Sequence, residues 1–249
     1  MSLMKKKFWT EGPGSFALAI GIAFVIRWAF LEAYVIPSGS MLPSLLINDH
    51  IFVNKMIYGV RFPFTEKWMV KFGEPERGEV IVFRYPEDMS KFYIKRVVGV
   101  PGDTVYYENG NLYINNELIE KVVPDEKKDD FAWVAEMSEG GTKVKDNYVH
   151  WEETLGDHKF SVMLRKGEFF DGPYGPFKVP NDSYFVMGDN RNNSKDSRLW
   201  AADKRFVPRA NLMGRASFVW LSCDEKFPGI NVFCNPLTVR WSRLLHFIH

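Results

Sequence analysis

A chain of 249 residues, 46% of them hydrophobic, has enough apolar mass for one large domain or two small ones. Lysine and arginine (32) nearly balance aspartate and glutamate (31), and a net charge of +1 excludes the basic excess that a nucleic-acid partner would require. Aromatics reach 16%, and Val, Ile and Phe recur in short runs, which favours strands over a helix bundle.

After Lys5, Lys6 and Lys7, the stretch from Phe16 to Ile36 is apolar except for Arg27 and Glu32. That length suits a bilayer span, which takes about 20 helical residues. A cleaved secretory signal also has a basic head and a short apolar run, but no small-x-small cleavage pattern follows the uncharged run Phe16 to Ile26 before Pro37. A helix lying on the membrane surface would gather its apolar residues in one stripe, whereas here they wrap all round. Arg27 is near enough to one end of the span for its side chain to reach the headgroups. The three lysines hold the N-terminal end in the cytoplasm by the positive-inside rule. Residues 1–15 then form a cytoplasmic segment and 16–36 a single-pass anchor. All that follows is extracytoplasmic, beginning with Pro37-Ser38-Gly39-Ser40 at the membrane surface.

Val80 to Tyr85 and Tyr93 to Val100 read as neighbouring antiparallel strands around Pro86, Glu87 and Asp88. Thr104 to Tyr107 and Leu112 to Ile114 flank Glu108-Asn109-Gly110-Asn111, and an Asn-Gly pair there signals a hairpin because both central residues take positive φ. Val122 to Lys178 is charged and weakly periodic, and reads as an inserted peripheral β region. Strand character returns at Tyr184 to Met187 and at Ala216 to Leu221. The expected architecture is mainly β: a transmembrane helix, then antiparallel sheets whose core comes from 37–121 and 179–249. Cys223 and Cys234 either join, if their compartment is oxidising, or stand as separate buried thiols; two alone cannot make a zinc site.

The chemistry is carried by four blocks. These are Ser38-Gly39-Ser40-Met41-Leu42-Pro43-Ser44, Arg77-Gly78-Glu79-Val80-Ile81-Val82-Phe83, Tyr93-Ile94-Lys95-Arg96-Val97-Val98-Gly99-Val100-Pro101-Gly102-Asp103, and Gly188-Asp189-Asn190-Arg191-Asn192-Asn193-Ser194-Lys195-Asp196-Ser197-Arg198. In this order after one anchor, they resemble the bacterial type I signal peptidases, or leader peptidases. The resemblance covers Ala33 to about Leu221 apart from the insertion, and Arg240 to His249 looks like the end of proteobacterial members. It implies a membrane-bound serine endopeptidase with Ser40 as nucleophile, Lys95 as general base and an acyl-enzyme intermediate. The substrates would be signal-peptide-bearing preproteins, cut at the outer face of the bacterial cytoplasmic membrane. The phospholipid bilayer and the translocation machinery are further expected partners of a monomeric enzyme.

By resemblance, the Ser40 N–H and the Ser38 hydroxyl stabilise the oxyanion, Ser194 orients the lysine amine, and Asp196 with Arg198 supports the loop. Ile36, Leu45, Ile51, Val82, Tyr93 and Ile94 are candidates for shallow pockets that accept small side chains, with Ile36, Val82 and Ile94 ranked first. Taken alone, Ser40 reads as a turn serine and Lys95 as an edge-strand lysine. None of the five histidines falls in a motif, so a Ser-His-Asp triad is disfavoured, and a lysine base must lose its proton by desolvation. On a strand, Lys95 shares a face with Tyr93 and Val97 while Arg96 points the other way. The loop from Asp189 also invites a calcium reading, but an EF-hand needs glycine at position six and glutamate at twelve, where Ser194 and Trp200 stand. No metal or cofactor is expected. Ala201 to Arg205 looks like a short insertion beside the site. Two rivals remain: a Ser-Lys self-cleaving regulator, which would need a DNA-binding module, and an inactive scaffold that only binds precursors.

Overall fold

The computed structural model describes residues 12–29, 31–62, 65, 67–124, 130–139, 141–167, 172–227 and 230–249. An eight-stranded antiparallel sheet organises it. Its order is Leu31–Val35, Asp49–Asn54, Leu212–Ser222, Val80–Tyr85, Asp88–Gly99, Ser183–Met187 and Val207–Pro208, with His246–Phe247 also pairing to Leu212–Ser222. Strands from the two ends of the soluble chain thus interleave. Residues alternate across the sheet: Ile81, Phe83 and Tyr85 pack in one apolar cluster with Val97 and Trp200, and Val80 and Val82 in another with Met41, Leu45 and Val219.

The Asn-Gly turn forms as expected, with φ of 51° at Asn109 and 77° at Gly110 between strands Thr104–Glu108 and Asn111–Ile114. The divisions expected at 121 and 178, however, cut through two small sheets. Lys121–Val122 pairs with Tyr148–Leu155, and Tyr174–Lys178 pairs with Thr104–Glu108. Residues 122–178 are not peripheral either. Val162, Leu164 and Trp151 share a buried cluster with Val98, Phe185 and Met187 of the main sheet, so the insertion supplies that sheet with its second layer.

The N-terminal helix runs from Pro13 to Ala29, 17 residues, rather than through Ile36. At 1.5 Å per residue it is about 26 Å long, and no helix among the described residues is long and apolar enough to cross a membrane. Leu31–Val35 is instead an edge strand on Asp49–Asn54, and Ile36 is 2% exposed in the core. The physical reason is pairing: Tyr34 and Val35 suit a pleated sheet, and Glu32 accepts from the Tyr34 hydroxyl at 3.0 Å and pairs with Lys55 at 3.4 Å. Phe16, Leu18, Ile20 and Ile22 are all more than half exposed on the helix. The lysines at 5–7 and the side chain of Arg27 lie outside the described residues. Cys223 and Cys234 are joined as a disulfide.

Candidate active site

Where the edge strand ends, Ile36 is pinned by two backbone hydrogen bonds, its N–H to Asp49 at 2.8 Å and its carbonyl from Asn48 at 2.9 Å. The chain then turns through Pro37 into a short 3-10 turn, Gly39–Met41, with Ser38 extended as its N-cap. The buried Met41, Leu45 and Leu46 lock this turn to the core. Ser40 is its second residue, so its N–H has no acceptor inside the turn. The Ser38 side chain makes no capping hydrogen bond and stays exposed.

The loop that follows Ser183–Met187 grips the same turn. Asn190 donates its N–H to the Ser40 carbonyl at 3.2 Å and its side-chain amide to the Gly39 carbonyl at 3.1 Å. Gly188 must lack a side chain, since a Cβ there would stand 2.4 Å from the Ser40 carbonyl oxygen and 2.3 Å from Ser194 Oγ. Ser44 Oγ donates to Asp189 at 2.6 Å.

Lys95 projects from Asp88–Gly99 into this turn. Its Nζ donates to Ser40 Oγ at 2.6 Å and to the Ile94 carbonyl at 2.9 Å, and the residue is 4% exposed. Burial lowers its pKa to about 8, against the opposing pull of Asp196 and Asp189 and with help from Arg198. Asp196 and Arg198 form a fully buried bidentate pair, both contacts at 2.9 Å, and Asp196 also accepts the Gly188 N–H at 3.0 Å. Burial would raise the Asp196 carboxyl; Arg198 and the Gly188 N–H outweigh it and leave it lowered. Ser194 is buried beside Gly188, yet it is not among the hydrogen-bond partners of Lys95.

Of the six pocket candidates, Tyr93 and Ile94 are half-buried and line a cleft of ≈310 Å³ with Ser38, Ser40, Lys95 and Lys195. Leu45 and Ile51 are wholly buried, and Ile36 and Val82 are 2% exposed, all in the cluster beneath the nucleophile. Leu45 and Ile51 therefore support the site and do not face the cleft, because their packing against Met41 and Val53 leaves no exposed surface. Asp88–Gly99 is paired to Ser183–Met187 only from Arg96 onward, so the edge from Asp88 to Lys95 is open on that side.

Arg96 and Asp189 stand within the sequence motifs without a role that their residue types alone would assign. On the face opposite Lys95, Arg96 makes a buried bidentate contact with Asp189, at 2.9 and 2.7 Å, and lies 3.7 Å over the Phe160 ring. The signal was its alternation with Lys95: a charged residue on a core-facing position needs a buried carboxylate. Arg243 does the same from the C-terminal segment, donating to Asp49 at 2.7 Å and to the Ser44 carbonyl at 3.0 Å. Among the described residues, His50, Cys223 and Cys234 are grouped as metal ligands would be, but the disulfide occupies both sulfurs.

Comparison with known proteins identifies relatives of the chain. The family described as "Signal peptidase, peptidase S26" matches residues 9–221. Signal peptidase I of Pseudomonas fluorescens is 38% identical over 231 residues, 90% of this chain and 76% of that protein. Signal peptidase I of Rickettsia bellii is 39% identical over 223 residues, 84% of this chain and 72% of that protein. A solved signal peptidase I from Enterococcus faecalis is 26% identical and covers 59% of this chain and 100% of its own, with a TM-score of 0.34, too low to bear on the fold. With the family matched across most of its length, the chain belongs to the signal peptidases of the S26 peptidase family, hydrolases that remove signal peptides from preproteins.

Proposed function

We propose that this hydrolase works through a Ser40–Lys95 dyad. The observation that carries the reading is the 2.6 Å contact between Lys95 Nζ and Ser40 Oγ at a lysine buried to 4% exposure. With its pKa near 8, about a tenth of Lys95 is neutral at pH 7. The neutral amine takes the Ser40 hydroxyl proton as Oγ attacks the scissile carbonyl carbon. The Ser40 N–H and the Ser38 hydroxyl receive the oxyanion. Lys95 then gives its proton to the leaving amine, the mature protein departs, and an ester links the signal peptide to Ser40. Water attacks this ester with Lys95 again as base, which frees the signal peptide and restores Ser40. Asp196 and Arg198 hold the loop around the dyad, and Ser194 packs beside it.

An extended substrate would add itself to the open edge of Asp88–Lys95. Ile94 leaves only a thin apolar surface above the sealed cluster of Ile36 and Val82, which suits small side chains before the cut. The exposed apolar residues of the N-terminal helix support embedding of Pro13–Ala29 in the bilayer, with the catalytic body on the extracytoplasmic face, where a precursor is held. Replacing Ser40 by Ala and Lys95 by Ala tests the reading on a purified precursor in detergent. Each should abolish cleavage while circular dichroism stays unchanged; cleavage retained by either variant removes that residue from its role.

A further inference from the structure

A row of side chains leads from the dyad to a second lysine on the rim of the same cleft. Lys95 Nζ lies 5.6 Å from the Tyr93 ring centre, and that ring stacks on Tyr85 at 4.2 Å with planes 2° apart. Lys195 Nζ then lies 5.5 Å from the Tyr85 ring. The buried Trp200 backs both tyrosines, at 5.3 Å from Tyr85 and 6.4 Å from Tyr93. At the far end Lys195 pairs with Glu87 at 2.9 Å.

The two partners of that pair are unequal. The Glu87 side chain is 25% exposed, and it also accepts the Ala201 N–H at 2.9 Å and the Tyr85 hydroxyl. It is thereby fixed between the Asp88 turn and the 201–205 insertion. Lys195 is 58% exposed and lines the cleft, with Glu87 and the Tyr85 hydroxyl as its partners, and an ammonium with three donors can take a further acceptor. Lys91, on the outer end of the same strand, is likewise the exposed member of a pair with Asp88.

We propose that Lys195 is a specificity-determining residue that favours an acidic side chain among the first residues of the mature protein. This rests on the Ser40–Lys95 reading. Lys95 must return its proton to the leaving amine, so the mature chain departs from the lysine side of the dyad. The tyrosine shelf begins there, and its length admits a few residues of extended chain. Glu87 holds the Lys195 amine in place, and the Ala201 contact makes the insertion the brace of that subsite. Glu87 is kept ionised, its pKa about 2, chiefly by the Ala201 N–H, so the preference should respond to salt and not to pH across the working range.

The test uses the full chain in detergent and one precursor in three forms, with Glu, Gln or Lys placed in turn at each of the first four mature positions. At low salt kcat/KM should favour Glu over Lys by about tenfold at one of these positions, and the ratio should shrink toward one near 1 M salt. K195E should reverse the preference, and E87Q should enlarge it by removing the competing carboxylate. A flat Glu/Gln/Lys series, a preference that K195E leaves unchanged, or one that appears only at positions before the cut would overturn the proposal. Failure of the dyad reading is distinct: S40A would then still cleave the Gln form.

Discussion

Replacing Lys95 by methionine should make the protein more stable as it makes it inactive. The fold holds this amine with a pKa of about 8, whereas in the unfolded chain it has its ordinary value of 10.5. The unfolded state therefore binds the proton more tightly. Stability from this group is complete above about 10.5, declines as pH falls, and is lost once pH passes below about 8. At pH 7 the difference is worth about 3 kcal/mol. Methionine has similar volume and no charge, but its presence removes the hydrogen bonds to Ser40 Oγ and the Ile94 carbonyl, worth about 1 kcal/mol each. The net expectation is a gain of about 1 kcal/mol at pH 7 that turns into a loss at pH 11. Urea unfolding of both proteins in detergent, followed by fluorescence of the eight tryptophans, would read it. A stability difference that is the same at pH 7 and pH 11 would refute the claim that burial strains the charged lysine. In the same samples, wild-type kcat/KM should rise about tenfold per pH unit below 8 and then level off; a limb near 6.5 would point to a histidine instead.

Other residues give sharper tests of position. Gly188→Ala should lower kcat by about a hundredfold with KM little changed, because the added Cβ must displace the Ser40 carbonyl or Ser194, and steady-state kinetics checks it. Ser38→Ala should cost about 3 kcal/mol in the transition state, seen as a fall in kcat/KM for every precursor alike. Leu45→Ala should cost about 2–5 kcal/mol of folding stability and leave the choice of residue before the cut unaltered, whereas Ile94→Ala should widen that choice; a precursor panel with Ala, Val or Leu at that position separates them. Arg96→Met should destabilise by about 3–5 kcal/mol, since it leaves the Asp189 carboxylate buried without its main partner, and thermal unfolding would show it.

Local chemistry made some features legible. The Asn109-Gly110 turn and the opposed faces of Lys95 and Arg96 follow from backbone sterics and the two-residue period of a strand, and both stand in the fold. The partnership of Ser40 with Lys95 came from the joint occurrence of motifs, because 55 residues separate the two and only the folded sheet brings them together. What stayed hidden depends on partners distant in sequence. Residues 31–36 are as apolar as the helix before them, and only pairing with Asp49–Asn54 makes them a strand. Leu45 and Ile51 could not be told from cleft residues, since hydrophobicity does not say which side of a wall a residue occupies. In the sequence Ala201 to Arg205 looks like a short insertion beside the site, and its tie to Glu87 needs the turn at 85–88 in three dimensions.

Lys95 and Arg96 are adjacent cations on one strand, and the sheet sends them to opposite environments. One meets a hydroxyl and a carbonyl, the other a carboxylate. A slip of the strand by one residue would turn each to the other face, leaving Arg96 in the place opposite Ser40 or, in the other direction, Ile94. An arginine keeps its proton in proteins and cannot take one from serine. Under the proposed Ser40–Lys95 dyad, a misregistered copy of this enzyme would be silent and could not cut at random.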